Sequence, residues 1–85
     1  MKPTKSDLIE AIKKHILTEL LRSNVALEAD TPLIQNGYLT SLQTIELVDF
    51  LAEQYDVEIE PEEVNEEEFD SLNSIAELVL RKLPD

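Results

Sequence analysis

The first candidate for chemistry is a serine at a predicted helix start. Ser41 stands four residues after Gly37, the only glycine of the chain, and opens a helical pattern. A serine in this position commonly caps the helix, because its hydroxyl accepts a hydrogen bond from an unpaired backbone N–H group. It can instead carry a phosphodiester, since those N–H groups and the positive end of the helix dipole stabilise an anion. The residue types alone leave both interpretations open.

Other residue types that catalyse reactions or bind metals are scarce. The chain has no cysteine and one histidine, which excludes disulfides, thiol chemistry and a Cys- or His-rich metal site. His15 lies at the edge of a helical apolar stripe and is expected to be a half-buried or surface residue. The acids form no D-x-D-x-D-G calcium loop and lie on polar helix faces. No catalytic residue and no metal site are therefore predicted.

Size and charge narrow the class of protein. With 85 residues the chain forms one domain, residues 1–85, and 42% hydrophobic residues suffice for a small core. The 19 acids against 7 basic residues give a formal net charge of -12, which repels nucleic acids and anionic membranes. No apolar run approaches the ~20 residues that span a bilayer. The start, Met1–Lys5, lacks a signal-peptide core, so a cytoplasmic protein is expected.

The elements that must position Ser41 are helices, because the apolar spacing is helical almost throughout. Helices are predicted from about Thr4 to Arg22, with Asp7 completing a capping arrangement, and from Ser41 to Tyr55. One short helical turn is predicted at Pro61–Val64. The last helix is predicted to begin near Asp70 as its cap and to end at Pro84. The fold class is all-α, a small four-helix bundle of three long helices and one short one.

A long connection, residues 23–40, separates the first two helices. Thr31-Pro32 and Asn36-Gly37 are turn signals within it. The connection also contains apolar residues, Leu27, Leu33 and Ile34, so it is expected to pack on the core. Val57–Ile59 alternates, but three residues are too few to predict a strand.

The second helix has two distinct faces when it is projected at about 100° per residue. Its core stripe comprises five residues: Thr44, Leu47, Val48, Leu51 and Tyr55. The opposite face carries Glu46, Asp49 and Glu53, with Leu42 at its head beside Ser41. Single exposed leucines are common. A partner could nevertheless bury Leu42 while its basic residues contact the three acids.

Charge is unevenly distributed along the chain. Every lysine and arginine lies within residues 1–22 or 81–82, whereas residues 23–80 contain fifteen acids and no basic side chain. The ordinary interpretation is a solvated, soluble surface. Such complete segregation also suits docking onto basic partners at a high association rate.

The neighbourhood of Ser41 has the pattern of a known family. The stretch Gly37–Leu42 (GYLTSL) opens a helix, continues as Gln43–Val48 (QTIELV) and leads to Tyr55–Ile59 (YDVEI). This resembles the acyl carrier protein family, which shows a G-x-D-S-L type motif, then an E-L-V stretch, an aromatic-acid step and a short V/I-E-I segment. The resemblance extends over the whole chain, and the motif with its flanks spans about twenty residues in register.

The resemblance implies a carrier, not an enzyme. Ser41 would accept 4′-phosphopantetheine from coenzyme A through a separate phosphopantetheinyl transferase. The arm would hold an acyl or aminoacyl group as a thioester, so the reactive sulfur would come with the cofactor. The helix after the serine is the family's main recognition surface, and Leu42, Glu46 and Glu53 occupy matching positions. Further partners would be an acyl- or aminoacyl-activating ligase and downstream synthases or transferases.

Two departures from the motif bear on this prediction. Thr40 replaces the usual aspartate before the serine, which removes a charge beside the attachment point. A literal Asp70-Ser71-Leu72 occurs later, but there Leu72 falls in the core stripe of the last helix, so Ser41 is preferred to Ser71. The step Phe69-Asp70-Ser71 is similar to that of carriers which serve stand-alone activating enzymes, and favours an aminoacyl, peptidyl or specialised polyketide-type carrier.

The sequence therefore predicts a free-standing, monomeric, cytoplasmic carrier. Ser41 bears the phosphopantetheine, Leu42 anchors partners, and Glu46, Asp49 and Glu53 orient them in a fatty-acid, polyketide or nonribosomal-peptide type pathway. The alternative is an unmodified acidic helical adaptor that binds a basic protein through the same face.

Overall fold

The computed structural model describes residues 3–83 and places them in an all-helical arrangement, as predicted. Four α-helices, one π-helical turn and one 3-10 turn form its regular structure, and no strand occurs in this range. Val57–Ile59 accordingly forms no strand. The predicted helix stop at Pro84 lies outside the described residues.

Helix α1 comprises Lys5–His15 and continues as a π-helical turn, Ile16–Leu20. The predicted cap at its start is confirmed: Thr4 Oγ1 accepts from the Asp7 backbone N–H at 3.1 Å, and Asp7 Oδ2 accepts from the Thr4 N–H at 3.2 Å. The helical backbone ends at Leu20, two residues before the predicted end. Arg22 has a φ of 49°, a left-handed conformation that turns the chain away from the helix axis.

Helix α2 comprises Ser41–Tyr55, which are the predicted bounds. It ends at Asp56, whose φ of 54° and ψ of 47° are left-handed. Aspartate tolerates this conformation better than most residues other than glycine, which explains the stop without a glycine.

The predicted short turn is present as a 3-10 turn, Pro61–Glu63, with proline at its first position. A second short helix, α3, follows at Glu66–Phe69 and was not predicted separately. Helix α4 comprises Leu72–Lys82.

The prediction that Asp70 caps the last helix is wrong. The cap is Ser71, whose hydroxyl accepts a hydrogen bond from the Ser74 N–H at 3.1 Å. Asp70 instead holds the long connection: its Oδ1 accepts from the Ile34 and Gln35 N–H groups at 3.0 and 3.3 Å. Its backbone carbonyl accepts from the Leu33 N–H at 2.6 Å. The Asp70 carboxylate therefore makes a tertiary contact, which the local sequence pattern of a helix start does not reveal.

One core joins the helices and the connection. Its fully buried side chains come from the four α-helices, the π-helical turn and the connection: Leu8, Ile12, Ile16, Leu33, Leu47, Leu51, Phe69, Leu72, Ile75, Ala76, Leu78 and Val79. Leu27 and Leu39 are also buried, and Ile34 packs against the same cluster. The predicted packing of the connection on the core is thus confirmed. Because the connection leads directly into α2, its packing on the core supports the helix start that carries Ser41.

Candidate functional site

Ser41 is the first residue of α2, and its side chain is exposed. Thr40, not Ser41, caps the helix: Thr40 Oγ1 accepts from the Gln43 N–H at 3.2 Å, and Gln43 Oε1 accepts from the Thr40 N–H at 3.0 Å. Within residues 3–83 the Ser41 hydroxyl makes no hydrogen bond, so the capping interpretation of this serine is wrong. The hydroxyl is therefore available to a reaction partner.

The structure shows what changes when threonine replaces the aspartate of the motif at position 40. Threonine and aspartate both belong to the residues that cap helices well, so the replacement keeps the cap while it removes a charge. The first turn of α2 contains no acid. An anionic group on Ser41 would accordingly meet no carboxylate within this turn.

The backbone beside Ser41 can accommodate an anion. The N–H groups of Ser41 and Leu42 have no hydrogen-bond acceptor within residues 3–83 and lie at the positive end of a 15-residue helix. These donors and the exposed hydroxyl fit a phosphodiester on Ser41, which combines a covalent oxygen with acceptor oxygens. The residues present are therefore compatible with a 4′-phosphopantetheine group.

A shallow cavity of about 290 Å³ adjoins the serine. Its walls come from the connection, α2 and the segment before α3: Ile34, Leu39, Thr40, Ser41, Thr44, Ile45, Val64, Asn65 and Glu66. Ile45 and Val64 also line a second cavity of about 420 Å³ with Val48, Ile59 and Pro61. Ile45 is 53% exposed and lines both cavities. A partly apolar surface thus continues away from Ser41.

The predicted partner-binding residues share one accessible face of α2. Leu42 is 66% exposed, and Glu46, Asp49 and Glu53 are exposed. No ion pair to these three acids is found among residues 3–83. The core stripe on the other side is buried or half-buried as projected. The face therefore combines one apolar anchor with three unneutralised carboxylates.

Three acids outside α2 have cationic partners. Arg81 binds both carboxylate oxygens of Glu68 at 2.9 and 3.0 Å, and Lys82 donates to Glu63. Lys5 contacts Glu77 at 2.9 Å. The hydrogen bond from Lys82 holds the pKa of Glu63 below its ordinary value, and that from Lys5 does the same for the pKa of Glu77. Basic residues near the chain's two ends thus pair with Glu63 of the 3-10 turn, Glu68 of α3 and Glu77 of α4.

Ser71 has different surroundings from Ser41. Its hydroxyl caps α4 and hydrogen-bonds the Ser74 hydroxyl at 3.1 Å, while Leu72 is fully buried. The burial of Leu72 and the exposure of Leu42 agree with the helical projection.

His15 is half-buried, as expected, and stacks on Phe50 with ring centroids 3.8 Å apart and planes 11° from parallel. Burial lowers the pKa of His15, while the nearby carboxylates of Glu19 and Glu46 oppose that shift. No grouping of three or more metal-ligating side chains was found in the described part of the chain. The histidine therefore serves packing between α1 and α2. Tyr38, the second residue of the Gly37–Leu42 stretch, likewise packs on the core.

Gln43 was not singled out in the sequence, although a signal was present. The spacing T-x-x-Q at Thr40–Gln43 is a capping box, and the structure shows both of its hydrogen bonds. Gln43 Nε2 also donates to the Leu20 carbonyl at 3.1 Å, a contact across 23 residues that local spacing does not reveal.

Comparison with known proteins bears on this geometry. None of the described helices is both long and apolar enough to cross a membrane. A search of curated proteins found no match. A family model described as the phosphopantetheine attachment site matches residues 10–79, which include both Ser41 and Ser71. Such domains carry 4′-phosphopantetheine covalently and interact with a phosphopantetheinyl transferase and biosynthetic enzymes. The exposed serine at a helix start and the matched span lead to one conclusion: the chain belongs to the phosphopantetheine attachment-site family and is a carrier protein of the acyl carrier protein type.

Proposed function

We propose that Ser41 is the attachment serine and that residues 1–85 act as one carrier domain. The observation that carries this proposal is the contrast in hydroxyl use: the Ser41 side chain is exposed and unbonded within residues 3–83, whereas the Ser71 side chain caps α4. A transferase needs access to the oxygen that it modifies. Ser41 and the exposed Leu42 offer that access.

In the attachment step, Ser41 Oγ forms a bond to the phosphorus that carries the pantetheine arm in coenzyme A. The pyrophosphate P–O bond breaks, adenosine 3′,5′-bisphosphate leaves, and the seryl proton passes to a base of the transferase. The N–H groups of Ser41 and Leu42 stabilise the resulting anion. The bound group supplies a thiol that holds an acyl or aminoacyl cargo as a thioester.

The face formed by Leu42, Glu46, Asp49 and Glu53 binds partner enzymes in this proposal. Leu42 enters an apolar pocket of the partner, while the three carboxylates attract basic side chains around it. Charge complementarity of this kind raises the association rate and fixes the orientation of the encounter. The carrier remains non-catalytic: it raises the local concentration of its cargo at partner active sites.

The surface that continues from Ser41 suggests how cargo is accommodated. Ile34, Ile45 and Val64 offer apolar contacts, while Thr44, Asn65 and Glu66 offer polar ones. A cargo with both a short apolar part and polar groups fits this lining. Aminoacyl, peptidyl and polyketide-type cargo have that mixed character. We therefore favour a pathway of this kind over a fatty-acid pathway.

The test is covalent loading of the purified protein. It is incubated with coenzyme A, magnesium and a broad-specificity phosphopantetheinyl transferase, and the intact mass is recorded. We expect the mass to rise by one phosphopantetheinyl group in the wild type and in Ser71→Ala, and not in Ser41→Ala. Circular dichroism of both variants verifies that they remain folded.

Other results would reject the proposal. Loading that persists in Ser41→Ala and disappears in Ser71→Ala would move the attachment point to α4. No loading with several transferases would favour the alternative, an unmodified acidic adaptor that binds a basic partner through the α2 face.

A further inference from the structure

Gln43 connects the two helix ends that meet beside Ser41. Its side-chain oxygen accepts from the Thr40 N–H at 3.0 Å, and its backbone N–H donates to Thr40 Oγ1 at 3.2 Å. Its side-chain nitrogen donates to the Leu20 carbonyl at 3.1 Å. One amide group therefore links the start of α2 to the end of the π-helical turn.

The Leu20 carbonyl is one of the groups that a helix end leaves without an intrahelical donor. Within residues 3–83, the donor to this carbonyl is the side-chain amide of Gln43. The contact joins residues that are 23 positions apart and is partly buried, so water competes with it less than at an exposed site. By contrast, the preceding residue Leu42 points outward and is 66% exposed. The link lies beneath the surface that a partner would contact.

We infer that Gln43 is a positioning residue for Ser41, an inference that rests on the proposed attachment at that serine. Ser41 lies between the two members of the capping box, so the position of its backbone follows from the Thr40–Gln43 hydrogen bonds. The bond to Leu20 anchors that box to α1. Together the three bonds hold the Ser41 backbone, from which the hydroxyl projects, in one place relative to the outer face of α2.

Positioning of this kind affects the rate of transfer more than the docking of the transferase. Group transfer at phosphorus requires the attacking oxygen to lie in line with the leaving group, and small misplacements are costly. Gln43 is half-buried and its amide faces Leu20, so it contributes little to the surface that includes Leu42 and Glu46. Loss of the link is therefore expected to lower kcat for modification and to leave KM for the carrier nearly unchanged.

The experiment compares the full chain and its variants in steady-state loading with coenzyme A and a phosphopantetheinyl transferase. Gln43→Glu keeps the acceptor for the Thr40 N–H but places a carboxylate oxygen against the Leu20 carbonyl. Gln43→Met removes donor and acceptor without adding charge. We expect kcat to fall about tenfold in Gln43→Glu, and at least as much in Gln43→Met, with KM within about twofold of the wild type.

A matched control separates positioning from stability. Thr4→Ala removes the equivalent capping box at the far end of α1, where it cannot act on Ser41. Its kcat is expected to equal that of the wild type. An equal fall in Thr4→Ala, or a wild-type kcat in Gln43→Met, would overturn the positioning role alone. A wild-type chain that is not loaded, or loading that persists in Ser41→Ala, would overturn the proposed attachment and this inference together.

Discussion

Two helices of this protein begin with the same serine–leucine pair, and the two pairs have opposite surroundings. At the start of α2, Ser41 is exposed and unbonded within residues 3–83, and Leu42 is 66% exposed. At the start of α4, Ser71 caps the helix and Leu72 is fully buried. Only the second pair is preceded by the aspartate of the motif. The comparison shows that the helix face that meets the core decides whether a serine–leucine pair is accessible or buried.

The preceding residues explain part of the difference. At α2 the residue before the serine, Thr40, caps the helix. Ser41 is therefore the first helical residue, and its hydroxyl does not serve as a cap. At α4 the residue before the serine, Asp70, is engaged by the connection, so the serine must cap the helix itself. A shift of one position in the cap thus changes what the serine can do.

The largest expected effect is on the two leucines. Leu72→Ala should lower the free energy of unfolding by about 2–5 kcal/mol, because it leaves a cavity in the core. Leu42→Ala should change it by no more than about 0.5 kcal/mol, since the side chain is mostly in solvent. Urea unfolding followed by circular dichroism measures both. Equal losses in the two variants would contradict the contrast in burial.

The two serines should differ in stability by a smaller amount. Ser71→Ala removes a cap and should cost about 1 kcal/mol of unfolding free energy. Ser41→Ala removes a hydroxyl that caps nothing, so its cost should stay within about 0.5 kcal/mol. The same urea titrations apply. A larger loss in Ser41→Ala than in Ser71→Ala would show that the roles at the two helix starts are reversed.

The acids of the two regions should differ in their effect on partners. Glu46→Gln or Glu53→Gln should lower kcat/KM for loading by a transferase severalfold at low salt, because each removes an unneutralised charge from the proposed docking face. The difference from the wild type should shrink as ionic strength rises. Glu77→Gln, whose carboxylate is paired with Lys5, is the control and should leave kcat/KM unchanged. A loss in Glu77→Gln equal to that in Glu46→Gln would contradict a docking face confined to α2.

The smallest expected effect is a pH dependence at the ion pair between Glu63 of the 3-10 turn and Lys82 of α4. The hydrogen bond from Lys82 lowers the pKa of Glu63 in the folded state, so the pair stabilises the protein above the ordinary glutamate value of 4.5. That contribution is lost as the pH falls through the lower, folded-state pKa. Lys82→Met should therefore be less stable than the wild type at neutral pH, and this difference should disappear in acid. Glu53→Gln, on the α2 face, is the control. A stability difference that appears and vanishes there in the same way would contradict the assignment of this pH dependence to the Glu63–Lys82 pair.

Much of the fold could be predicted because the periodic spacing of apolar residues is a local property. The bounds of α2, the capping box at Thr4 and the sides of α2 that are buried and exposed all agree with the sequence pattern. The packing of Leu27 and Leu33 was also predicted, since apolar residues in a long connection need a core to cover them. The errors lie at the helix ends, where several residues can satisfy the same backbone groups.

Asp70 and Gln43 show why those errors arose. Each is a good local partner for a helix start, and each also has a partner more than 20 residues away. Asp70 binds the connection and does not cap α4, whereas Gln43 makes both the local capping bonds and the remote bond to Leu20. Sequence spacing cannot distinguish these outcomes, because they depend on which segments lie next to each other after folding.

The sequence by itself determined the helical class, the segregation of charge and the two serine–leucine pairs that deserved comparison, because composition and periodicity are encoded locally. Tertiary structure alone decided which hydroxyl is engaged, which acids are neutralised and what joins α1 to the start of α2. Those properties depend on distances between groups remote in the chain, and packing of the core sets such distances.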